Sequence, residues 1–120
     1  PGTGRASETG RGAGAGFTMN VPLPPGTTGD VYLRALHELV APRVEAFAPT
    51  WLIVSAGFDG HRDDPITELG LTAGDYVAMT RLVQSWVPAG RRLVVLEGGY
   101  NLDMLPDLVA AALEGFEGGT

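Results

Sequence analysis

The sequence predicts an α/β fold, three-layered α/β/α around a parallel sheet, and three observations predict it. Two short apolar runs without alternation, Trp51–Ser55 (WLIVS) and Arg92–Leu96 (RLVVL), read as strands buried on both faces. Segments with apolar residues at three- and four-residue spacing separate and follow them. The connections are long enough for parallel crossovers, and fully apolar strands call for helices on both sides of the sheet.

The opening Pro1–Gly16 is rich in glycine and too poor in side chains to pack by itself, so residues 1–15 read as a loop. Gly16–Leu23 places Phe17, Met19 and Val21 on one side and is expected to form a short first strand. Pro24-Pro25-Gly26 stops it. Asp30 reads as an N-cap before a helical stripe of Tyr32, Leu36, Leu39, Val40, Val44 and Phe47, which Pro42 should kink. After WLIVS comes a loop dense in Gly, Asp and His, Ala56–Pro65. Thr72 with Asp75 three residues on suggests a capping box, opening a helix on Tyr76, Met79, Val83, Trp86 and Val87. Pro88-Ala89-Gly90 closes it, RLVVL follows, and Leu105, Leu108, Val109, Ala112 and Phe116 mark a last helix. Residues 16–120 are thus expected to run β-α-β-α-β-α. Three strands make a thin sheet, and an apolar edge strand with unpaired backbone invites self-association or pairing with a missing N-terminal part.

The 120 residues carry 8 basic and 14 acidic side chains, a net charge of −6. All the basic residues are Arg and none cluster in a run, which argues against nucleic acid as a partner. The absence of cysteine excludes thiol catalysis, disulfides and thiolate-held metals, so any metal must sit on oxygen or imidazole. No apolar stretch approaches the roughly 20 residues that span a bilayer, and no signal-like segment opens the sequence; the expectation is a cytoplasmic protein with no membrane partner.

Ligands of open parallel sheets bind beyond the carboxyl ends of the strands. That rule selects Ser55–Pro65 (SAGFDGHRDDP) and Glu97–Leu102 (EGGYNL), and parallel neighbouring strands would bring Asp59 and Tyr100 into one cleft. Asp59 can serve as a hard oxygen ligand, cap the next turn, or pair with Arg62. Asp59-Gly60-His61 has the spacing of a two-ligand pair, with Asp63 and Asp64 as further donors, although a His beside acids is more often a surface side chain. Tyr100 follows two glycines, and its phenol can donate a hydrogen bond to an oxyanion or pack on a helix terminus. The Gly10–Gly16 series does not match a dinucleotide loop, Ser55 lacks a nucleophile elbow, and His37 reads as a solvated or half-buried side chain.

Taken together, Pro1-Gly2-Thr3-Gly4, then Glu8, Gly10, Gly12, Gly14 and Gly16, Asn20-Val21-Pro22-Leu23, SAGFDGHRDDP and LEGGYNL resemble the zinc-dependent histone deacetylase family. The likeness is closest to its class II-like bacterial members, which include acetylpolyamine amidohydrolases and acetoin-utilisation-type proteins. The resemblance implies a partial arginase/deacetylase-like fold and hydrolysis of the acetyl-amide bond of acetyl-lysine or an acetylpolyamine. It also implies roles: Asp59 as the carboxylate zinc ligand, Tyr100 as the catalytic tyrosine on the substrate carbonyl, Gly98 and Gly99 as tunnel-lining glycines, and Pro65 near the tunnel mouth. Glu97 is then structural, and His61 is not a ligand.

The same resemblance covers only the C-terminal part of the catalytic domain. The family's D-x-H ligand pair and general-base histidines have no counterpart here, so this chain alone is expected to bind zinc weakly or not at all and to be inactive. The competing reading is a noncatalytic α/β interaction module that keeps the fold. A phosphate-binding domain is disfavoured because the one suitable loop begins with Glu97. The acidic balance leans towards a cationic substrate such as a polyamine.

Overall fold

The computed structural model describes residues 4–118. Pro1, Gly2 and Thr3 of the opening motif lie outside that range. In chain order the elements are α1 (Gly29–Ala35), a π-turn (Leu36–Val40), α2 (Ala41–Phe47), β1 (Leu52–Ala56), α3 (Ala73–Gln84), β2 (Arg92–Leu96) and α4 (Leu105–Glu117). The two strands pair in parallel, from Leu52 opposite Arg92 to Ala56 opposite Leu96, with α3 as the crossover. The α/β class and the parallel pairing are therefore as the apolar runs predict.

The first helical segment shows what Pro42 does. Lacking an N–H, it leaves the Glu38 carbonyl without its helical donor, and the chain widens into the π-turn immediately before α2. The N-cap is Thr28, not Asp30; Asp30 lies in the first turn, where its carboxylate accepts a hydrogen bond from the Thr28 hydroxyl. The capping box of α3 forms as expected. The Asp75 carboxylate accepts from the backbone N–H and the hydroxyl of Thr72, each at 2.8 Å.

Two expectations are corrected. Residues 16–23 form no strand: Phe17 is 70% exposed and meets the edge of Phe47, with ring centroids 6.0 Å apart. Backbone N–H groups of Gly16 and Thr18 bond instead to the Thr9 carbonyl, folding the glycine-rich opening back on itself. Alternating apolar residues make a strand only where a neighbouring strand offers a ladder. The observed order among the described residues is therefore α-β-α-β-α.

The strands are also not buried on both faces. Val54, Ala56, Val94 and Leu96 share one face, against Val109, Ala112 and Phe116 of α4 and Met79 and Val83 of α3. The opposite face carries Ile53, Leu93 and Val95, which are 68%, 53% and 43% exposed. The apolar runs are built for cover on two sides, and the described helices supply it on one, incompletely over β2, where Val94 and Leu96 are still 41% and 59% exposed.

The core sits where α3, α4 and the loop after β1 meet. Phe58, Leu71, Tyr76, Met79, Leu108 and Ala112 are its buried members, with the rings of Phe58 and Tyr76 5.2 Å apart. This core anchors the start of the β1–α3 loop, the segment that holds the first candidate site residue.

Candidate active-site rim

Because β1 and β2 are parallel and end in register at Ala56 and Leu96, the loops that follow them leave the same edge of the sheet. Hydrogen bonds stitch the loops together. The Glu97 N–H donates to the Ala56 carbonyl at 3.0 Å and the Phe58 N–H to the Gly98 carbonyl at 2.8 Å. Further out, the Asn101 side-chain amide donates to the Asp63 carbonyl at 2.9 Å. The Asn101 backbone carbonyl accepts from Met104 and Leu105 at the start of α4, so one residue fixes the rim to both loop and helix.

Asp59 follows the buried Phe58, and its partly exposed carboxylate is seated between two glycines. A side-chain carbon at Gly98 would stand 2.9–3.1 Å from the carboxylate atoms, and one at Gly57 would stand 2.8 Å from Oδ1. At both positions a methyl group would crowd the carboxylate and oblige it to shift. Gly98 is thus a seat for Asp59. Gly99 adopts φ +140°, and a side-chain carbon there would press on Leu105 and Phe58. Asp59 is held from behind by the Thr67 hydroxyl, which donates to its backbone carbonyl.

Tyr100 emerges from this glycine pair with its side chain about half exposed, at the end of the sheet where Asp59 lies. Its backbone N–H donates to Asp64 Oδ2 at 2.9 Å, while Asp64 Oδ1 accepts from Ile66 at 2.8 Å and Thr67 at 3.3 Å. Burial pushes the Asp64 carboxyl up, but backbone N–H donors from Tyr100, Ile66, Thr67 and Asn101 outweigh it and hold the group below the usual carboxylate range. The sequence marks Asp64 only as a further metal donor. Its use as a tie to a residue 36 positions away has no local signature.

The remaining candidates are placed as follows. Pro65 is exposed beside Asp64. His61 is buried, 4% exposed, with its Nδ1 accepting from the Asp63 N–H at 3.2 Å, so the ring serves the loop's own structure. His37 is exposed on the π-turn, remote from the rim in sequence and element. Beneath Asp59, the buried Tyr76 hydroxyl has no hydrogen-bond partner among the described residues. Burial, then the neighbouring Asp59 and Tyr32, push its phenol well above the ordinary range.

A catalytic zinc takes three protein ligands and keeps one position open. No group of three or more His, Cys, Asp or Glu side chains is arranged to hold a metal ion among the described residues. Asp59 has the character of a hard oxygen donor, but one carboxylate does not fit a zinc ion by itself. No helix among the described residues is long and apolar enough to cross a membrane.

The family model described as the histone deacetylase domain matches residues 1–116. A probable deacetylase of Archaeoglobus fulgidus is 43% identical across 98% of this chain, and an acetylpolyamine amidohydrolase of Mycoplana ramosa is 42% identical across 96%. The chain spans 34% and 33% of those two proteins, about a third of their length. Among solved structures, the HDA15 HD domain superposes with a TM-score of 0.92 at 38% identity, over 98% of this chain and 33% of that one. An acetylpolyamine aminohydrolase from Burkholderia pseudomallei superposes with a TM-score of 0.88 at 27% identity, again over 98% and 33%. With the domain matched almost from end to end of this sequence, and the fold agreeing with it, the chain belongs to the histone deacetylase family.

Proposed function

We propose that this chain supplies one side of the active site of a zinc-dependent deacetylase, with Asp59 as a metal-binding carboxylate and Tyr100 as the phenol that stabilises the oxyanion of a scissile acetyl-amide bond. The observation that carries this reading is the convergence of the two loops at one strand edge, with the Asp59 carboxylate seated on Gly98, two residues before Tyr100. Amide hydrolysis places negative charge on the carbonyl oxygen in the transition state. A fixed phenol donating to that oxygen strengthens as the charge develops, which is what lowers a barrier.

The remaining metal donors and the base that takes a proton from water belong to sequence beyond these residues in the complete domain. The isolated chain, with a single carboxylate donor, neither holds zinc tightly nor turns over substrate. Acetyl-lysine in proteins and acetylated polyamines share the acetyl-amide group this rim would address. The net charge of −6 favours a cationic amine on the leaving side.

The test is steady-state hydrolysis of an acetyl-lysine peptide and an acetylated polyamine by the complete polypeptide that carries this segment. Tyr100→Phe removes one donor and is expected to lower kcat by about 10²–10³. Unchanged turnover, or robust turnover by residues 1–120 alone, would overturn the reading.

A further inference from the structure

We propose that Asp64 is a positioning residue for Tyr100, a role that rests on the deacetylase reading above and adds to it. Asp64 is 8% exposed, and its carboxylate works in two directions. Oδ1 closes a local turn by accepting from Ile66 and Thr67, which is all that a turn-capping aspartate requires. Oδ2 instead reaches the N–H of Tyr100 at the tip of the other loop.

The turn has no need of that second bond, and the phenol does. No hydrogen bond to the Tyr100 hydroxyl exists among the described residues, and the ring is half exposed, so the position of the phenol is inherited from its backbone. From the Tyr100 N–H a short chain of bonds runs through Asp64 to Thr67, whose hydroxyl holds the backbone carbonyl of Asp59. Together with the Phe58–Gly98 bond behind it, Asp64 thus fixes Tyr100 relative to Asp59. A placement error of about 1 Å in such a group can cost about 10² in rate.

Asp64→Asn is nearly isosteric but cannot satisfy both directions. Its one carbonyl oxygen is expected to stay with the Ile66 and Thr67 donors, turning the amide NH₂ against the Tyr100 N–H. In the complete polypeptide this should lower kcat about 10- to 100-fold with KM changed by less than about twofold. The decisive arm places Asp64→Asn in a Tyr100→Phe background. If Asp64 acts through the phenol, the double variant is as slow as Tyr100→Phe alone, within about twofold. A merely structural residue would slow both backgrounds by the same factor, and that result overturns the proposal. Should Asp64→Asn fail to fold by circular dichroism, Asp64→Glu, which keeps the charge but displaces it by one methylene, carries the same comparison. Unchanged turnover in Tyr100→Phe removes the deacetylase reading and this role together. A slow Tyr100→Phe beside a fast Asp64→Asn removes only the role of Asp64.

Discussion

The carboxylate of Asp64 accepts the backbone N–H of Tyr100 at 2.9 Å, joining the loop after β1 to the loop after β2 at the edge where Asp59 also lies. Parallel strands bring the loops to the same end of the sheet. The hydrogen bonds between them make the rim one unit with a defined geometry.

Gly98→Ala tests the seat of Asp59. The new methyl would fall 2.9–3.1 Å from the carboxylate, and the carboxylate, at the end of a short side chain, is the part free to give way. Turnover of the complete polypeptide is expected to drop about 10²-fold. Urea denaturation should show a stability change below about 1 kcal/mol, because an exposed rim can absorb the shift. Full activity in Gly98→Ala would show that the position of the carboxylate is not critical.

The lowered pKa of Asp64 carries a pH signature. A carboxyl group more acidic in the folded than in the unfolded state stabilises the fold fully above the unfolded value, here the ordinary 3.8. That contribution is lost as pH falls through the folded value. Wild type should therefore exceed Asp64→Asn in stability by a constant margin at neutral pH, with the margin shrinking below about pH 4. Denaturation of both proteins between neutral pH and pH 3 checks this; a margin that grows on acidification has the wrong sign for the structure.

The uncovered sheet face should make the isolated chain self-associate. Ile53, Leu93 and Val95 present adjacent apolar side chains on two paired strands, and contiguous exposed apolar surface drives association. Sedimentation of residues 1–120 is expected to show concentration-dependent oligomers, reduced by the pair Leu93→Lys and Val95→Lys. A monomer at high concentration would mean that this face is tolerated in water.

How much of this was legible in the sequence depended on range. RLVVL matches β2 residue for residue and WLIVS is off by one, because a short apolar run bounded by Pro and Gly is a local signal. The Thr72–Asp75 box is equally local. Residues 16–23 misled because alternation was present while the partner strand was not. The full burial expected of both strands required a second layer that no pattern within these residues could reveal to be lacking. At the rim, the shared edge of the Asp59 and Tyr100 loops was legible from their place after two parallel strands. The seat formed by Gly98 and the tie made by Asp64 were not, since each depends on contacts between loops about forty residues apart.

The most direct measurement is a double-mutant cycle on kcat for acetyl-amide hydrolysis by the complete polypeptide, with Asp59→Asn, Tyr100→Phe and the two combined. If both side chains serve the same reacting carbonyl, their losses are strongly non-additive, and the combined variant should be within about threefold of the slower single one. Losses that multiply, or a Tyr100→Phe variant as fast as wild type, would contradict a single site shared by the two loops.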